Sequence, residues 1–406
     1  MAEAVIVAAT RSPIGRARKG SLVDVRPDDL AAMTIKAALD QVPALDPATL
    51  DDLHLGCAEP HDEHGGNLAR RVAVQLGLDA VPATTVNRFC ASSVQTARMA
   101  HHAIRAGEGD AFVSAGVECV SRYRSFGSAG VDPVEVQNPI FAEAARRTAR
   151  QGETNETWHD PRDDGALPDI YIPMGQTAEN VATAYGISRA ECDQWAVLSQ
   201  NRAEAAIAAG VFAEEISPVR TPAGTVSTDD GPRSGVTLDS ISGLDPVFRA
   251  DGVVTAANCC PLNDGAAAVV IMSDTRAAEL GLTPLARIVA TAASALSPEL
   301  MGMGPVASSR LALERAGLTI GDIDLVEINE AFAVQVIASA RELGIDPDRL
   351  NVHGGAIALG HPFGATGARI MTTLLTAMRR RDVEFGLETM CVGGGQGMAI
   401  ILQRLS

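Results

Sequence analysis

Aromatic side chains are scarce, 3% of 406 residues. Ala, Val, Leu and Gly must therefore do the packing, which suits helices layered on sheets better than a β-sandwich. The cysteines are odd in number, 7, and no two stand as Cys-x-x-Cys. That excludes a disulfide framework and a zinc ribbon. No run of five or more basic residues occurs, and the formal net charge is −17, a field that repels nucleic acid and anionic lipid. No apolar run approaches the roughly 18 residues of a membrane span. The start, Met1-Ala-Glu-Ala-Val, lacks a basic region ahead of a long apolar one. No signal peptide is expected, and the expected setting is reducing and cytoplasmic.

What is present begins with length. A chain of 406 residues is too long for one ordinary core and predicts two or three domains. The apolar run Ala4–Ala9 reads as a buried strand, Asp28–Leu39 as a helix, Leu53–Cys57 as a strand and Gly66–Leu76 as a helix. Thr84–Val86, Ser92–Arg105 and Ala111–Val117 continue as strand, helix, strand. The alternation predicts crossover connections and a largely parallel sheet. After Ser121 the pattern breaks. Tyr123–Pro168 is rich in Arg, Gly, Asp, Asn and Pro, helices are expected over Thr177–Ala184 and Arg189–Ala209, and Ser217–Gly243 is polar and turn-rich. This stretch reads as an inserted loop domain. The β/α pattern is expected to resume at Val253–Asn258 and to continue through Ala266–Met272, and from Ala286 the first theme recurs. Similar order in both parts predicts duplicated halves around a shared centre.

Chemistry gathers at four exits from strands. In Asn351–Gly367, five glycines surround His353 and His361, and Pro362 fixes φ just after His361. A helix-forming run, Ala368–Met378, follows. An imidazole in a turn at a helix N-terminus can take a proton from a thiol. Cys90 lies between the strand ending at Val86 and the helix starting at Ser92. There the helix field is expected to lower a thiol's pKa from about 8.5. The position reads as a nucleophile elbow or as a buried, inert cysteine. Cys391 precedes Gly393-Gly-Gly395. That run is an oxyanion-binding backbone, a tight β-turn, or, more weakly, a phosphate loop lacking its Gly-Lys-[Ser/Thr]. Asn329 ends a strand and is a functional amide or a helix N-cap. Ligands of α/β sheets gather at the carboxyl ends of strands, so the convergence of Cys90, Asn329, His361 and Cys391 there outweighs any one motif.

Asn-Arg-Phe-Cys-Ala-Ser-Ser, Asn-Glu-Ala-Phe, Gly-Gly-Ala-Ile-Ala-Leu-Gly-His-Pro and Cys-Val-Gly-Gly-Gly-Gln-Gly, together with Met174-Gly-Gln-Thr-Ala-Glu-Asn and Asn263-Asp-Gly-Ala-Ala-Ala, resemble the signature blocks of the thiolase family, in the same order and over nearly the whole chain. The resemblance implies an α/β fold of duplicated βαβαβαββ halves forming a layered α-β-α-β-α core with an inserted loop domain. The N-terminal half would be 1–121 plus 263–283, the inserted CoA-binding domain 122–262, and the C-terminal half 284–406. It implies that Cys90 carries the acyl group as a thioester, that His361 deprotonates it and helps hold the thioester oxygen, and that Asn329 positions a water in that oxyanion hole. Cys391 would be the acid/base, and the N–H groups of Cys90 and Gly393 the second oxyanion hole. Coenzyme A and acyl-CoA enter as substrates, with no tightly bound cofactor and no metal. Arg233 would meet the nucleotide end, while Met174, Phe248, Ala256, Cys260, Met301, Ala331 and Phe332 would line the pantetheine channel. A homodimer or homotetramer is implied, with room for a 3-hydroxyacyl-CoA dehydrogenase partner.

The chain departs from the family at Ser93 (usually Gly), Cys260 (often Ser), Pro173 (His in some biosynthetic members) and His353 (often Asn). These bear on acyl-chain length more than on chemistry, and with the long insertion they lean toward degradation over synthesis. Of other constellations, His61-Asp-Glu-His64 reads as a solvated loop rather than a metal site. His101 and His102 are adjacent on a helix and should point apart. Rival readings are a ketoacyl-synthase-type condensing enzyme, which would not need Cys391, and a non-catalytic acyl-CoA carrier.

Overall fold

A computed structural model describes residues 2–123, 137–154 and 156–406. Part of the expected insertion, 124–136, lies outside the described residues. The first half runs β1 (Ala4–Arg11), α1 (Pro27–Leu39), β2 (Asp52–Gly56), α2 (Leu68–Gln75), β3 (Ala83–Val86), α3 (Ser92–Ala106) and β4 (Ala111–Cys119). Then come α4 (Ala142–Thr154), α5 (Met174–Tyr185) and α6 (Arg189–Ala208), and β5 (Asn263–Ser273) completes the first sheet. The second half is β6 (Ala286–Ala295), α7 (Gly304–Ala316), β7 (Leu325–Ile328), α8 (Ala333–Leu343), α9 (Thr366–Arg381), β8 (Phe385–Val392) and β9 (Gln396–Arg404).

The strands order as β3-β2-β4-β5-β1 and then β6-β9-β8-β7. The two half-sheets repeat one plan, and their equivalent first strands join edge to edge at Val5↔Arg287 and Ile6↔Ala286. A lone bridge, Val326↔Leu350, occupies the place in the second half that β3 holds in the first. The expectation of a largely parallel sheet is corrected. Among the described residues the ladders β2/β3, β2/β4 and β7/β8 are parallel, whereas β1, β5, β6 and β9 make antiparallel ladders. For β8 and β9 the reason lies at 393–395. Gly394 and Gly395 take φ of 75° and 77°, values a side chain disfavours, and this tight turn folds β9 straight back on β8.

Alternation along the strands sorts side chains into three cores. In β5, Ala268, Val270 and Met272 face α1 and α2, whereas Val269 and Ile271 face the middle. In β8, Leu387 and Cys391 face α5, α7 and α8, whereas Met390 and Val392 face the middle. The middle layer is α3 and α9, whose Val94, Ala97, Ala100, Ile370, Met371 and Leu374 share one cluster with both sheets. The order of layers is therefore α-β-α-β-α, with the sequence halves meeting through buried helices.

Other expectations change. α4 falls in a stretch read as irregular; its polar composition hid it. Val253–Asn258 is not a strand, because the N–H groups of Val253 and Val254 donate to the Glu179 carboxylate (3.0 Å each) and Asn258 accepts from Thr255 N–H. The described part of the expected insertion shares the core of the second half through Ala178, Val181, Trp195 and Ala196. It also grips the first half: Arg11, fully buried at the end of β1, pairs with Glu215 (2.7 Å) and Asp229 (2.8 Å).

Gly116 in β4 lies directly beneath the turn that follows His361, and a Cβ there would overlap the carbonyl of Gly364 and crowd Ala365. Replacing Gly116 by Ala should therefore cost about 1–3 kcal/mol in urea unfolding and lower activity with it. A variant with wild-type midpoint and turnover would show that strand and turn are not in obligatory contact.

Candidate active site

The segment 356–366 is held at three points. A buried carboxylate, Glu330, accepts from Ile357 N–H (3.1 Å) and also from Trp195 Nε1, Ser199 Oγ and Asn351 Nδ2. Asn263 Oδ1 accepts from His361 N–H at 3.0 Å. A second buried carboxylate, Glu118 at the end of β4, accepts from Gly364 N–H (2.8 Å), Ala58 N–H (2.7 Å) and Tyr123 Oη (2.6 Å). Charge-assisted hydrogen bonds of this kind are strong, and each carboxylate is costly to leave unsatisfied. Glu118, Asn263 and Glu330 are the supporting residues that motif reading passed over. Glu330 adjoins Asn329 in a quoted block, and a buried acid inside a strand-to-helix junction was the available signal.

The His361 ring is oriented by Thr366. The Thr366 hydroxyl donates to Pro362 O (3.0 Å), so at 2.7 Å from His361 Nδ1 it accepts, and Nδ1 carries the proton. Nε2 is then the free acceptor, facing Asn329 Nδ2 at 3.2 Å. Asn329 is 1% exposed and its Oδ1 has no partner, while Gln335 donates to its backbone carbonyl at 2.7 Å. Asn329 is therefore an inward-facing amide rather than the N-cap; α8 starts only at Ala333, after Phe332. Burial, with Arg369 adding repulsion, lowers His361 to about 3, so its imidazole is neutral at rest.

Cys90 sits in the single turn Phe89–Ala91 ahead of α3. That turn packs against the turn Phe363–Ala365 and against β8. Phe89 has φ 43°, a strained setting for an aromatic residue. The Gly393 N–H and the Cys90 N–H both point at the Cys90 sulfur and favour a thiolate, yet burial dominates and pushes the thiol up to about 12. This runs against the expected lowering by the helix field: Cys90 keeps some exposed surface, yet the desolvation it does suffer outweighs the local dipoles. Cys391, fully buried, is raised further by burial and then by the neighbouring Cys90. Cys260 lies within electrostatic reach of both and is also raised by burial. Its N–H donates to Ala331 O (3.0 Å), and Cys259 bridges to Phe332.

The remaining positions divide. Arg233 and Ala256 border a cleft with Arg16, Gln200, Cys259 and Ile357; Arg16 was not anticipated. Met301, Ala331 and Phe332 are buried at 2%, 4% and 7% exposure in the second-half core. Met174 and Phe248 are partly buried against that core, with Phe248 edge-on to Phe332 at 6.4 Å. These five lie outside the lining of the arginine cleft. Ser93 accepts from Ala368 N–H at 2.9 Å and so caps α9 from α3. Pro173 stands immediately before α5, and burial lowers half-buried His353 to about 4. His64 is not the solvated residue expected: it is fully buried and its Nε2 accepts from Cys119 N–H at 3.0 Å. Among the described residues no helix is long and apolar enough to cross a membrane.

Two family models match the chain, "Thiolase, N-terminal domain" over residues 4–275 and "Thiolase, C-terminal domain" over 282–404. A 3-ketoacyl-CoA thiolase of Bacillus subtilis is 41% identical, with 99% of this chain and all of the relative aligned (100%). An acetyl-CoA acetyltransferase of Cupriavidus necator is 44% identical over 100% of both chains. The crystal structure of human mitochondrial 3-ketoacyl-CoA thiolase in complex with CoA superposes with a TM-score of 0.85 at 36% identity, covering 99% of this chain and 98% of that one. A cysteine sulfur facing the Gly393 N–H, a neutral histidine against an inward amide, and full-length likeness in both sequence and fold agree: this chain belongs to the thiolase family of acyltransferases.

Proposed function

We propose that the protein cleaves 3-ketoacyl-CoA with CoA, reversibly, through an acyl thioester on Cys90. The observation that carries this reading is the meeting of the Gly393 and Cys90 N–H groups at the Cys90 sulfur, with the Cys391 thiol close enough to feel its charge. His361 Nε2 takes the Cys90 proton. Burial opposes either ion alone, but this transfer creates thiolate and imidazolium together, and their attraction in a low-dielectric site offsets that cost. The thiolate attacks the 3-keto carbon. The resulting oxyanion is held by the Cys90 and Gly393 N–H groups, and Cys391 protonates the departing acetyl-CoA enolate. In the second half-reaction CoA attacks the acyl-Cys90 thioester, with Cys391 taking the thiol proton. His361, with a water on Asn329, steadies the oxygen of the CoA thioester. The cleft between Arg16 and Arg233 receives the nucleotide phosphates against an otherwise acidic chain, and Ala256 and Cys260 flank the pantetheine. Met174, Phe248 and Phe332, backed by Met301 and Ala331, shape its apolar side. The alternative direction, condensation of two acetyl-CoA, is favoured by the identity to the Cupriavidus relative; a panel of 3-ketoacyl-CoAs from acetoacetyl to long-chain separates the two by their kcat/KM order.

Incubation with acetyl-CoA, acid quenching and peptide mass mapping should find one acetyl group on Cys90; an unmodified Cys90 would overturn the covalent route. Cys391→Ser should slow that acetylation, since the leaving CoA draws its proton from Cys391, and lose about a hundredfold or more in turnover; near-wild-type rates of both would remove Cys391 from the reaction. Because His361 is neutral down to about 3, the base is already competent in mild acid. The profile of kcat/KM should show no protonation limb near the ordinary histidine value of about 6.5. A limb there, abolished in His361→Asn, would show an imidazole far less shielded than the structure describes.

A further inference from the structure

The face of α3 beyond the Cys90 turn carries a second feature that the acyl-transfer site does not use. Arg98, His101 and His102 of α3, Arg315 near the end of α7, and the backbone stretch 289–291 of β6 border an open cavity of about 330 Å³. Adjacency on the helix was expected to send the two histidines apart, yet both reach this cavity, their ring centroids 5.6 Å from each other. Among the described residues no carboxylate lines it. Among the described residues Arg98 has no ion pair, and its Nε is buried without a hydrogen-bond partner. Thr291, only 4% exposed, likewise leaves its Oγ without a partner, as does His101 Nδ1. Arg315 Nη1 donates to Thr291 O at 2.7 Å, which holds the second guanidinium at the rim.

The charges here press on one another. After burial, Arg98 is lowered by Arg88 and Arg315, and His102 by Arg98 and Arg315. A chain with 50 acidic and 33 basic residues has ample means to neutralise such a cluster, and does not. Like charges gathered at a half-buried site, with idle donors beside them, are stabilised when an anion enters. We propose that this cavity is a binding site for a phosphate-type oxyanion, separate from the acyl-transfer centre. A tetrahedral anion presents enough acceptors for two guanidinium forks and the Thr291 hydroxyl at once. It comes either as free orthophosphate or as the phosphoryl end of a nucleotide.

Equilibrium dialysis of the full chain, without CoA and at fixed ionic strength, tests this with labelled orthophosphate and, separately, labelled ATP. Because ATP can also enter the cleft of Arg16 and Arg233, the expected result is one saturable site per chain that survives Arg233→Gln and is weakened about tenfold or more in Arg98→Gln and in Arg315→Gln. Arg315 is exposed, so its variant keeps the test available should Arg98→Gln not fold. Saturation by orthophosphate identifies the free ion, and saturation by ATP alone identifies a nucleotide. Absence of saturable binding by either, equal binding in wild type and both variants, or loss only in Arg233→Gln would overturn the proposal. Absence of binding combined with altered subunit assembly in Arg315→Gln would show that carboxylates of a second chain answer these cations.

Discussion

Everything reactive in this protein depends on how a segment of two short helical turns is kept still. The histidine segment is anchored by Glu330 at Ile357, by Asn263 at His361 itself, and by Glu118 at Gly364. Each anchor comes from a different part of the chain, and two are buried carboxylates satisfied by N–H and O–H donors. A carboxylate so placed has no cheap alternative, since losing a donor leaves charge unsolvated. The loop is thereby given a single position, and the imidazole inherits it through Thr366.

The second dependency is the contact between α3 and α9. Gly367 lies against the start of α3 at Val94, and Ser93 caps the first turn of α9. Because α9 packs against strands of both halves and shares one core with α3, the elbow bearing Cys90 and the turn following His361 are placed by packing of the halves rather than by local chain geometry. Ser93, a departure from the family pattern, thus has a structural task where the sequence invited a functional question.

Much of this was legible beforehand. Strands such as β1 and β4, and helices such as α1, α6 and α9, announce themselves by apolar runs or helical spacing, and Asn329 and Cys391 stand where strand ends were expected, whereas His361 follows a short helix, Ala356–Leu359, instead of a strand. What escaped depends on partners distant in sequence. The antiparallel return of β9 is set by a turn and not by strand composition. Val253–Val254 looks like a strand but finds its acceptors in Glu179. The ionisation of Cys90 reverses because a local dipole can be read from neighbours, whereas depth of burial cannot. Glu118 and Glu330 are invisible as hubs until their donors, hundreds of residues away in the case of Gly364, are brought to them.

Withdrawal of the thiols from water has a further result. A sulfur kept protonated is a poor target for electrophiles and peroxides, which react with the anion. Such agents therefore meet sulfur atoms that stay dormant until a neighbouring base draws off the proton.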